Sequence, residues 1–119
     1  MVPEPGREYV VMASRLPLAR YRHIPSFLRS TNVIRRQLAT SDGLIGYALD
    51  ARPLSKTFFT VSAWQTREAL GRFSHAEPHR NRIEATRPLM LATTFVFWTA
   101  LGSDLPIAWN EVRRRIADA

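Results

Sequence analysis

The stretch Ser62–Arg82, SAWQTREALGRFSHAEPHRNR, carries two of the chain's three histidines four residues apart, His75 and His79, with Pro78 between them. On a regular helix that spacing puts two imidazoles on one side, where they can clamp a metal. Pro78 lacks an N–H and opposes the regular turn, and Glu77 is the only carboxylate close by, so no metal site is expected. Ser74 and Glu77 stand at the S-x-x-E spacing of a capping box, so a helix can restart where Pro78 disfavours continuing the first. The restart would bring His79 and Ile83 onto one face as a pocket-lining turn. Pro78 in the first turn of one bent helix fits the same residues. The chain has no cysteine, which excludes disulfides, thiolate metal sites and a cysteine nucleophile. It has no glycine-rich phosphate loop, no G-x-S-x-G elbow and no paired acidic cluster.

Six elements must position these groups. EYVVMASRL, residues 8–16, alternates as a strand, with Tyr9, Val11 and Ala13 on one face and Val10, Met12 and Leu16 on the other. Ile24, Phe27, Leu28, Thr31, Ile34 and Leu38 form one helical stripe that Gly43 ends, with Arg29, Arg35 and Arg36 largely outside it. LIGYALD and KTFFTVSAW read as an antiparallel hairpin joined by ARPLS. A second helical region is expected over 66–86, with Thr66 as N-cap and Ala69, Leu70 and Phe73 facing inward. ATTFVFWTAL supplies a fourth strand. The order β-α-β-β-α-β predicts an α+β, ferredoxin-like antiparallel sheet with both helices on one face. After Pro106 an extra C-terminal amphipathic helix places Trp109, Val112 and Ile116 on one side. Residues 1–7 read as a disordered lead-in, 8–103 as the domain and 104–119 as the terminal helix.

The first and fourth strands are apolar on both faces, and one helical layer covers only one. The other face is expected to bury itself against a partner sheet in a two-fold homodimer, the alternative cover being the chain's own terminal helix.

Trp64, Ala69, Phe73 and His79, followed by a strand with Phe95 and Trp98, resemble the pattern of the antibiotic-biosynthesis-monooxygenase-type dimeric α/β barrels. The likeness spans about residues 8–101 and is nearest to small bacterial proteins, more loosely to spheroidene-monooxygenase-like sequences. It implies a dimeric barrel with an apolar pocket for a small aromatic or polyene molecule. In the haem-degrading branch the iron-ligating histidine matches Ile83, which argues against that branch. The spheroidene-monooxygenase-like pattern has a histidine matching His79, the one candidate haem ligand. The cofactor-independent branch oxidises a phenolic substrate with oxygen, using a tryptophan, an asparagine or tyrosine, and an arginine. Trp64 matches the tryptophan, Tyr47 is the hydroxyl candidate, and an arginine such as Arg15 would stabilise phenolate charge. The matching asparagine is missing, since Asn32 and Asn81 lie on the helices. The resemblance thus implies a ligand binder, with cofactor-independent monooxygenase, haem-binding oxygenase and non-catalytic stress module as its forms. Trp98, Phe73 and Ile83 complete the pocket candidates.

Among 119 residues the formal net charge is +7, and Lys56 is the single lysine beside a large excess of arginine. The arginines are spread along the chain with no basic arm, apart from the RRR at 113–115 in the last turns of the terminal helix, where cations complement the helix dipole. KTFFTVSAW resembles an aromatic RNA-binding strand but lacks its glycines, so no nucleic-acid partner is expected. The apolar runs are too short for a membrane span, and MVPEPGREYV lacks a basic start followed by an apolar run. The cytoplasm is the expected location.

Overall fold

The computed structural model describes residues 3–75 and 87–119. Strands β1 (Glu8–Pro17), β2 (Leu44–Arg52), β3 (Thr57–Trp64) and β4 (Thr94–Leu101) form one antiparallel sheet in the order β2-β3-β1-β4. The sheet is open, with β2 and β4 as its edges. Helix α1 (Ile24–Ala39) connects β1 to β2, α2 (Arg67–His75) follows β3, and α3 (Trp109–Ala117) follows β4. This is the ferredoxin-like α+β arrangement that the alternation and helical stripes predicted. The part of the second helical region beyond His75, with the Ser74–Glu77 capping box, Pro78 and its two alternatives, lies outside the described residues.

Strand pairing fixes the two faces. Met12 stands opposite Ser62 on β3 and Phe97 on β4, while Val11 stands opposite Ala63 and Trp98. Val10, Trp64, Leu38, Ala69, Leu70 and Phe73 pack as one buried cluster on the face carrying α1 and α2. At the far end of that face Leu18, Phe27 and Phe58 form a second cluster, with the Phe27 and Phe58 rings 4.4 Å apart.

The opposite face is covered by the chain itself. Val112 is fully buried and Ile116 nearly so, packed with Val11, Ala13, Val61 and Ala63. The expectation that this face is bare until a partner sheet covers it is therefore corrected. The apolar side of α3, with half-buried Trp109, lies across the middle of its own sheet, because the connector 102–108 turns the chain back over that face. Phe59 belongs to the same covered cluster, and Phe58 is buried beneath α1. Phe58 and Phe59, the third-strand aromatics of the RNA-binding likeness, are thus covered.

Two junctions depend on local geometry. Gly43 ends the turn after α1 at φ +83°, and a Cβ there would sit 2.6 Å from the Cβ of Ala69. Thr66 caps α2 through its hydroxyl, which accepts from the Ala69 N–H at 3.1 Å. Part of the segment before β1 makes hydrogen bonds to the domain. The Glu4 N–H donates to the Tyr9 hydroxyl at 2.8 Å, and the Gly102 and Ser103 N–H groups donate to the carbonyls of Arg7 and Pro5. This segment turns at Pro5 and Gly6 beside buried Tyr9.

Candidate functional site

Between α1 and the sheet lies a cavity of about 510 Å³. Its floor is the helix-side face of the strands. Alternation sends Met12, Ser14 and Leu16 of β1 upward beside Thr60 and Ser62 of β3, and Tyr47 and Leu49 of β2 continue the row. The roof is the inner side of α1, where Phe27, Thr31, Ile34 and Leu38 recur at helical spacing with Ser30 and Arg35 beside them. Arg87 and Met90–Thr93 form one wall, held by the Leu91 N–H donating to the Pro17 carbonyl at 2.9 Å and the Ala19 N–H to Leu89. Phe73 and Phe95 complete the lining.

The lining is mainly apolar, with a short row of hydroxyls along the floor. The Ser14 and Thr60 side chains hydrogen-bond to each other across the strands. Ser62 accepts the indole N–H of Trp64 at 2.8 Å. The Thr31 hydroxyl turns back to the Phe27 carbonyl. The Tyr47 hydroxyl makes no protein hydrogen bond among the described residues and is free to meet a ligand oxygen. Among the described lining residues Tyr47, Arg35 and Arg87 are the titratable side chains, and none is a carboxylate or a histidine.

Of the residues the sequence singled out, Tyr47 and Phe73 line this cavity. Trp64 faces the same side of the sheet but is fully buried, its ring 5.2 Å from that of Phe73, and it is not among the residues lining the cavity. Arg15 and Trp98 lie on the opposite face. Arg15 borders a small cleft with Phe59, Thr94 and Arg113, and Trp98 lies under the guanidinium of Arg115 at 4.5 Å. Those two cannot share a pocket with Tyr47, because their strand parity sends them through the sheet to the α3 side. His79 and Ile83 lie outside the described residues, so no geometry bears on the haem ligand. Sequence reasoning missed Arg35 and Arg87. Arg35 follows the inward Ile34 and sits four residues after Thr31, at the border of the α1 stripe, a position that helical spacing alone leaves ambiguous.

Solved structures, several of them named as antibiotic biosynthesis monooxygenases, share this open ferredoxin-like sheet. One is SnoaB, a cofactor-independent oxygenase from Streptomyces nogalater, 17% identical, covering 77% of this chain and 92% of that one at a TM-score of 0.60. Another is a proposed antibiotic biosynthesis monooxygenase from Caulobacter crescentus CB15, 13% identical over 80% of this chain and 92% of that one, with a TM-score of 0.71. A conserved protein from Methanosarcina mazei Go1 is similar at 8% identity, 76% and 90% coverage and a TM-score of 0.69. No family model and no curated protein matches the sequence. At these identities the likeness establishes the fold. Among the described residues no helix is long and apolar enough to cross a membrane.

Proposed function

We propose that this protein binds a small aromatic or polyene molecule in the cavity beneath α1, and that the bound molecule is oxidised by oxygen without a cofactor. The observation that carries the reading is the cavity itself. About 510 Å³ of chiefly apolar space, with the free hydroxyl of Tyr47 and a hydroxyl-bearing floor, suits a planar ligand of a few fused rings. In an anthrone-like substrate the reaction balances within the substrate and oxygen: a ring CH2 becomes a carbonyl as one O2 supplies that oxygen and leaves its other atom as water. The substrate provides the electrons. The protein's part is to orient the ring, exclude water, and hydrogen-bond the phenolic oxygen through Tyr47 as charge develops there. The fold shared with SnoaB supports this reading. A cytoplasmic homodimer belongs to the same proposal, with exposed Phe95, Phe97 and Leu101 on edge strand β4 as the surface a second copy would cover.

A non-catalytic carrier is the second reading, favoured by a described lining in which no carboxylate or histidine stands ready as a base. Anthrone provides the test. Wild-type protein should bind it and consume oxygen as the quinone appears. Ile34→Trp should weaken both by projecting a larger ring from α1 into the cavity, at a cost of about 1–3 kcal/mol in stability. Tyr47→Phe should weaken binding about three- to tenfold. Binding without turnover would select the carrier, and equal binding by the Ile34→Trp variant would refute the cavity as the site.

A further inference from the structure

Several arginines on the α3 side are paired with carboxylates, although Arg15 there has no such partner among the described residues. On the α3 side Arg52 and Arg113 both reach Asp50, at 3.1 and 2.9 Å, while Arg115 pairs with Glu111 at 3.1 Å and covers Trp98. At the cavity, Arg35 on the α1 roof and Arg87 on the wall have no ion pair or side-chain hydrogen bond among the described residues, and the described lining offers them no carboxylate. Both are exposed and still contribute to the lining of an apolar space. A guanidinium is always charged, and its planar fork matches the two oxygens of a carboxylate. Two such groups at one apolar cavity make a positive rim beside a hydrophobic interior, and that combination selects by charge as well as by shape.

We infer that the ligand of this cavity is an apolar acid: its ring or chain lies between α1 and the sheet, and its carboxylate is held at the rim by Arg35 and Arg87. This assignment rests on the cavity being the binding site, as proposed above, and adds the chemical class of the ligand. Tyr47, across the floor on β2, is then left for an oxygen elsewhere on the ligand, so the two arginines set its orientation in the cavity.

The test compares anthracene-9-carboxylate with anthracene-9-carboxamide, which have closely similar shape and differ in charge. Affinities are measured by probe fluorescence at low salt for wild type, Arg35→Gln, Arg87→Gln and the double variant. Both side chains are exposed, so the variants should melt within about 2 °C of wild type, the range of neutral surface substitutions. Wild type should prefer the carboxylate about 10- to 100-fold, each single variant should lose part of that preference, and the double variant should bind both probes alike. Raising the salt should shrink the wild-type preference, because the rim is exposed to screening. Equal affinity of wild type for the two probes would overturn the inference and leave the cavity reading standing. A preference that survives in the double variant would also overturn it, by showing that other groups hold the charge. Binding of neither probe would refute the cavity reading and this inference with it.

Discussion

The same substitution, Trp to Phe, should cost much more on one side of the sheet than on the other, and the difference follows from where each indole N–H goes. Trp64 is fully buried, packs on Phe73 and donates to Ser62 at 2.8 Å. Trp64→Phe removes two ring carbons and the nitrogen. At about 0.8 kcal/mol per buried carbon the apolar loss is about 1.6 kcal/mol. The lost hydrogen bond adds about 1 kcal/mol, giving about 2.5 kcal/mol in all. At about 4 °C per kcal/mol for a chain of this size, the melting temperature should fall by about 10 °C. Trp98 presents the opposite case. Its indole nitrogen is buried with no hydrogen-bond partner among the described residues, so Trp98→Phe removes a stranded donor whose desolvation costs about 1–3 kcal/mol. That gain offsets the lost carbons and the weaker cation–π contact with Arg115, and stability should change by less than about 1 kcal/mol. Urea denaturation of both variants, followed by circular dichroism, measures the difference at constant m-value. Ligand affinity in Trp64→Phe should stay within about threefold of wild type, because the indole does not line the cavity. A Trp64→Phe variant of wild-type stability that has lost its ligand would refute this placement and return Trp64 to the pocket.

Two further substitutions test how the layers are joined. Gly43→Ala combines a left-handed φ with a Cβ 2.6 Å from Ala69, so it should cost more than about 1 kcal/mol in chemical denaturation, beyond what the usual Gly-to-Ala gain can offset. Val112→Ala opens the contact of α3 with Val11 and Ala13 and should cost about 1.5–2.5 kcal/mol; a loss below about 0.5 kcal/mol would mean that α3 does not hold that face in solution.

The strands and their faces were legible because the period of alternation is short and the register follows from it. Val10, Met12 and Leu16 share one face, as their parity requires, and β3 and β4 fall into line once paired with β1. The N-cap at Thr66 and the turn at Gly43 were legible for the same local reason: each is decided by a side chain or a backbone angle within a few residues. Which face carries the helices was not legible, since β1 and β4 are apolar on both sides and parity cannot rank two apolar faces. That ambiguity put Arg15 and Trp98 in the same expected pocket as Tyr47. Arg15 shares the parity of Val11 and Ala13, so once those residues are seen beneath α3, Arg15 must be there too.

The cover of the second face illustrates the same limit at longer range. An amphipathic helix advertises one apolar side, and an apolar strand face advertises a need for cover, but neither names its partner. The nine residues of α3 place Val112 and Ile116 one turn apart, which matches a stripe running over the central strands β1 and β3, where small Ala13 and Ala63 let the helix approach closely. Bulky residues at those two positions would have held a helix away and left the face to a flatter partner. The small side chains at the centre of the sheet thus favour the chain's own helix over a second sheet there. Any pairing of two copies must then use surface that α3 leaves open. The exposed strip of Phe95, Phe97 and Leu101 on β4 borders the cavity through Phe95, as exposed Leu91 and Tyr47 do elsewhere on its lining, so a copy seated on the strip would also narrow the way in for the ligand.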